Sequence, residues 1–209
     1  KYIEEYQSNQ TGKLQEIIDN NPAKTAIVVG DGVSYEFAQD IIEKVSKEYT
    51  LSKEHQYIFA GLPSETEHNM SQLYIDSGTV VKDKQDREAY LLKQNKDKSI
   101  GFIDLEKVNE TSDKEHYLIC SYKDPDKLGE TYQHKALKYF DLVAGIFATK
   151  IEQLFKNGYQ NVYLVTDHGF VLTGILDNSD KREVDFKGNV KISERFIRSE
   201  NKQKIDTNL

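Results

Sequence analysis

The chain is poor in several things, and each shortage excludes a class of protein. Cys120 is the only cysteine in 209 residues. One thiol cannot form an internal disulfide or a cysteine-type zinc site, which fits a reducing compartment and a cytoplasmic setting. Any metal must therefore be held by Asp, Glu, His or a hydroxyl. No apolar run approaches the roughly 18–20 residues of a membrane span, so no transmembrane or signal segment is expected in this piece. Positive charge is also short: 28 Lys plus Arg stand against 35 Asp plus Glu, a formal charge of -7. That balance repels a bare polyanion and argues against direct binding in a nucleic-acid groove. A bound metal would still make a local positive centre for a phosphate ester. There is no internal repeat and no low-complexity tract. The first residue is Lys, so the chain is expected to be a fragment of a longer protein.

What is present is an alternation. Residues 11–20 carry Leu14, Ile17 and Ile18 at helical spacing, and Asn21-Pro22 stops the helix. Thr25-Ala26-Ile27-Val28-Val29 is a continuous apolar run, as suits a parallel strand buried on both faces. It breaks at Gly30-Asp31-Gly32. Ser34 can cap a helix bearing Phe37, Ile41, Ile42 and Val45. Residues 56–60 form a second strand candidate, followed by a turn and helix over 64–78. The charged segment 82–98 reads as a solvated helix and loop. Residues 100–104 and 117–122 are two further strands, with a loop over 106–115. The longest helix is expected over 131–156, then a strand at 162–166 that runs straight into Asp167-His168-Gly169. Residues 184–186 and 190–192 could pair as a hairpin around Lys187-Gly188-Asn189. The expected architecture is α/β: a mostly parallel central sheet with helices on both faces. One domain is expected over 1–209, with a core at 24–174 and an extension at 175–209.

In open α/β sheets, sites collect beyond the carboxyl ends of the strands. Asp31 and Asp167-His168 follow apolar strands at once. Thr66 and Asp126 lie in the segments after two others. The carboxylates of Asp31 and Asp167 with the His168 imidazole form an oxygen–nitrogen set suited to zinc, with manganese the second candidate. A hydroxyl on such an ion becomes a nucleophile, supplied by Thr66 or Ser64. Asn69, one helical turn beyond Thr66, could reach the same anion. Asp126 with Glu130 and His134 could hold a second metal.

Four segments carry a resemblance. Ile27-Val28-Val29-Gly30-Asp31-Gly32, Leu62-Pro63-Ser64-Glu65-Thr66-Glu67-His68-Asn69, Tyr122-Lys123-Asp124-Pro125-Asp126-Lys127-Leu128-Gly129 and Val165-Thr166-Asp167-His168-Gly169-Phe170 resemble, in order and spacing, motifs of the alkaline phosphatase superfamily and of its PglZ domain family. The likeness spans about residues 24–174. It implies a metal-dependent phosphatase or phosphodiesterase acting on a phosphate ester or nucleotide, in phage-defence (BREX) proteins and beside other defence proteins. It makes Thr66 the nucleophile and a metal ligand, with Ser64 second choice. Asn69 becomes the phosphate binder, and Asp31, Asp126, Asp167 and His168 metal ligands. Glu130 stands where relatives carry a His, and no His follows His168. The missing ligand lies outside the fragment, or His134 substitutes, or one metal site alone is competent. A non-catalytic scaffold in a defence complex is the alternative function. A phosphate loop at Gly30-Asp31-Gly32 is disfavoured, because it lacks the glycines or the Gly-Lys-Ser/Thr ending such loops need.

Overall fold

The computed structural model describes residues 7–45, 47–50, 58–112, 114–123, 125, 137–169, 186–192 and 197–200. In chain order they form α1 (Lys13–Asn20), β1 (Thr25–Gly30), α2 (Tyr35–Lys44), α3 (Thr66–Tyr74), α4 (Lys84–Gln94), β2 (Ile100–Asp104), β3 (Tyr117–Tyr122), α5 (Leu137–Lys156), β4 (Asn161–Thr166), β5 (Val190–Ile192) and β6 (Ile197–Ser199). A four-stranded, all-parallel sheet runs in the order β2-β3-β1-β4. This is the α/β architecture that the alternation of apolar runs and helical spacing implies.

The strand β1 shows why the sheet is central. Ala26 and Val28 turn to one face and Ile27 and Val29 to the other, and all four are essentially unexposed. The first pair packs with Phe37 and Ile41 of α2 and Phe140, Ala144 and Phe147 of α5. The second packs with Leu14 and Ile18 of α1, Met70 and Leu73 of α3 and Leu91 of α4. Helices therefore cover both faces, and two of them, α2 and α4, are closed at their start by a side-chain cap. Ser34 Oγ accepts from Phe37 N at 3.2 Å at the start of α2, as expected of a cap. Asp83 does the same for α4, accepting from Gln85 N at 2.7 Å.

Three expectations need adjustment. Residues 58–60 join no strand of the sheet, while 56 and 57 lie outside the described residues. Their backbone is used instead by the segment before α1: Asn9 N donates to Phe59 O at 3.3 Å, and Phe59 N donates to Asn9 Oδ1 at 2.6 Å. Segment 82–98 is not simply a solvated face, since Arg87 and Leu91 of α4 are buried. Val190–Ile192 pairs antiparallel with Ile197–Ser199; of the partner expected at 184–186, residues 184 and 185 lie outside the described residues. Among the described residues no helix is long and apolar enough to cross a membrane.

Candidate metal centre

The register of the sheet builds the site. β1 and β4 are adjacent and parallel, with Gly30 opposite Thr166. The next residue on each strand is an aspartate, so Asp31 and Asp167 leave the sheet side by side. The turn after β1 is locked to the end of β4. Gly32 adopts a φ of 71°, a conformation that a side chain disfavours. Its N–H thereby reaches Asp167 Oδ1 at 3.1 Å, and Val33 N donates to Thr166 Oγ1 at 3.1 Å. At Gly30 any Cβ would lie 2.4 Å from Val33 Cγ2, so the turn packs against its own strand only with glycine there.

Asp31, Asp167 and His168 are all buried, and one ligand atom from each lies within 4.8 Å of the others. His168 Nδ1 faces Gly169 O at 2.8 Å. A carbonyl only accepts, so Nδ1 carries the proton and Nε2 is the nitrogen left for a ligand. Nε2 lies 3.2 Å from Asp167 Oδ2 and 3.8 Å from Asp31 Oδ1. Asp167 divides its oxygens: Oδ1 accepts from Gly32 N and, at 2.8 Å, from His168 N, while Oδ2 turns to the imidazole.

Thr66, the first residue of α3, closes the group. Its Oγ1 is 2.9 Å from His168 Nε2 and 3.4 Å from Asp31 Oδ1. Asn69, one turn along α3, is 0% exposed, and neither side-chain amide atom has a hydrogen-bond partner among the described residues. A buried amide left this way costs about 1–3 kcal/mol, a cost that a ligand can remove. The donor set fits a divalent cation. Two carboxylates and an imidazole converge, the Gly169 carbonyl fixes the imidazole tautomer, and the two neighbouring negative charges repel until a cation joins them.

Of the sequence-derived candidates, Asp31, Thr66, Asp167 and His168 come together, with Asn69 on the same helix as Thr66. Asp126, Glu130 and His134 lie outside the described residues. The ring of His68 pairs with Gln72 Nε2 at 3.0 Å rather than with the cluster. Gln10 carries no signal in the sequence, yet it is 1% exposed. Its Nε2 donates to Asp167 O and its Oε1 accepts from Gly61 N at 3.2 Å, joining the end of β4 to the segment before α3. A lone glutamine in a polar stretch gives no pattern by which to find it.

A family model described as the BREX system PglZ alkaline phosphatase-like domain matches residues 11–144. No curated protein matches the chain.

Proposed function

Because this chain belongs to the PglZ family of BREX-system alkaline phosphatase-like domains, we propose that it is a metal-dependent phosphoester hydrolase, a phosphatase or phosphodiesterase of bacterial phage defence. It would work in the cytoplasm beside other defence proteins. The observation that carries this reading is the meeting of Asp31, Asp167 and His168 around Thr66 Oγ1. Asp31, Asp167 and His168 would hold the cation, with zinc favoured by the imidazole and manganese second. A divalent ion there supplies Lewis-acid polarisation of a phosphoryl oxygen and makes a neighbouring hydroxyl easier to deprotonate.

The chain's own groups do the rest. Thr66 Oγ1 attacks phosphorus, its proton passes to water, and the bond from phosphorus to the leaving oxygen breaks. A water molecule then cleaves the phospho-threonine and restores the hydroxyl. Gln10, Gly32 and Gly169 keep Asp167 and His168 in position through their hydrogen bonds. Asn69 would donate its amide to the phosphoryl group, which gives its buried amide the partner it lacks. Asp126, Glu130 and His134 remain candidates for a second ion.

The alternative is a scaffold of the same fold without catalysis, favoured by Glu130 at a position where relatives carry a His. Hydrolysis of bis-p-nitrophenyl phosphate, with zinc or manganese supplied, separates the two. Catalysis requires that wild type exceed Thr66→Ala by about a thousandfold or more. Equal rates from equally metal-loaded proteins would leave the scaffold.

A further inference from the structure

Next to the metal-ligating cluster is a cavity of about 350 Å³. Asp31 and Thr66 form part of its lining, and Lys82, Lys84, Arg87 and Lys123 line it as well. Glu67 and Asp83 line it too, so four cations face three carboxylates there, and Arg87 and Lys123 are the cations of the lining without an ion pair among the described residues.

Arg87 is the most constrained of the four. It is 8% exposed. Its Nη1 donates to Val81 O at 3.1 Å and to Lys82 O at 2.5 Å. Its guanidinium lies 5.9 Å from the centroid of the Tyr74 ring. These contacts orient the side chain, and none supplies a negative charge. Nε has no hydrogen-bond partner among the described residues. The nearby acids are committed elsewhere. Glu67 pairs with Lys82 at 3.2 Å, Glu88 and Asp104 with Lys84 at 3.7 and 3.5 Å, and Asp83 caps α4. A guanidinium stays charged at any working pH, and burying one without a counter-charge is costly. Stapling the 81–82 backbone accounts for Nη1 alone. The unpartnered Nε of Arg87 and the cation of Lys123 remain, and both fit an anion.

We propose that this cavity is a subsite for a second phosphate group of the substrate, with Arg87 as its anchor. The substrate class is then an ester bearing two linked phosphates, such as a nucleoside diphosphate unit, with one phosphate beside Thr66 and the next on Arg87. This deepens the phosphate-ester reading above and rests on it. Arginine suits the role, because its donors form a planar fork that matches phosphate oxygens. Lys123 adds charge at the cavity wall, whereas Lys84 is held by Glu88 and Asp104.

The test compares equilibrium binding of ADP and AMP to the chain, with manganese in excess of nucleotide and again in a chelator. ADP is expected to bind about tenfold tighter than AMP or better. Arg87→Gln is expected to bring that ratio close to one. Lys123→Gln, at an exposed position, is expected to lower it in part, and it decides the matter if Arg87→Gln does not fold. Inorganic pyrophosphate should displace ADP where orthophosphate at equal ionic strength does not. Equal affinities in wild type, a ratio unchanged in the folded variants, or displacement by adenosine as effective as by pyrophosphate would each overturn the subsite. If the ADP preference holds while bis-p-nitrophenyl phosphate is untouched, hydrolysis falls and the subsite stands. If hydrolysis holds without the preference, the reverse is true.

Discussion

The two ends of the sheet handle polar groups in opposite ways. At the amino end, neutral groups close on one another. Tyr117 donates to Asn21 O at 2.8 Å and Tyr163 to Asn21 Oδ1 at 2.9 Å, while Asn21 Nδ2 donates to Ile17 O at 2.8 Å. Each end has a histidine. His116 lies at the exposed amino end with Nε2 on Pro22 O at 3.0 Å, whereas His168 is buried between two carboxylates at the carboxyl end. A fold needs only the first arrangement. Burying two acids and an imidazole together adds nothing that hydrogen-bonded neutral groups would not provide more cheaply, so the carboxyl end is where a ligand belongs.

The sharpest way to break this contrast is to change one side chain at each end. Asp167→Asn keeps the shape of the side chain and removes a ligand. It should lower zinc affinity at least a hundredfold, beyond the ~10–100-fold typical of losing an outer partner. His116→Asn, at the other end, should leave zinc affinity unchanged. Calorimetric titration reads both, and equal effects would dissolve the distinction.

Stability should divide the same way. Zinc at about a hundred times its dissociation constant should stabilise the wild type by about 2.7 kcal/mol, seen as a rise in Tm. Asp167→Asn should lose that rise. Asn21→Ala should be destabilised by about 1–3 kcal/mol through its broken hydrogen bonds, yet still show the full zinc-induced rise. A variant at Asn21 that loses the rise would mean the two ends are not separable.

At neutral pH the smallest effect lies between the ends. Cys120, in the middle of β3, is buried, and burial pushes its thiol from 9.0 up to about 12. The folded state holds the proton more tightly, so this contribution is complete below about pH 9 and is lost as pH climbs towards 12. The expected slope is at most ~1.4 kcal/mol per pH unit. Cys120→Ala should flatten that part of the stability profile and leave its slope at neutral pH unchanged. Native protein should resist thiol alkylation until it is unfolded. Rapid labelling of the folded chain would contradict the burial.

Much of this was legible in the residues. Uninterrupted apolar runs such as 25–29 and 117–122 declare strands covered on both faces, and an aspartate directly after such a run declares its position at the carboxyl edge. The side-by-side placement of Asp31 and Asp167 was not legible, because it depends on β1 and β4 being neighbours in register, a long-range pairing that local pattern does not encode. Residues 58–60 lie outside the sheet for a related reason: an apolar run does not encode which partner takes its backbone hydrogen bonds. Arg87 was hidden by its charged neighbours, since a helix rich in Lys, Asp and Gln reads as solvated whichever face carries the arginine. Its burial follows from packing against Tyr74 and from the 81–82 carbonyls.

The cation itself is the most direct test. Anomalous diffraction from crystals of the chain grown with zinc, collected on both sides of the absorption edge, locates it without reference to activity. Expected is a single strong peak about 2.0–2.2 Å from a carboxylate oxygen of Asp31, a carboxylate oxygen of Asp167 and Nε2 of His168. A map with zinc bound elsewhere, and no peak among these three side chains at saturating zinc, would contradict the metal centre and the hydrolysis derived from it.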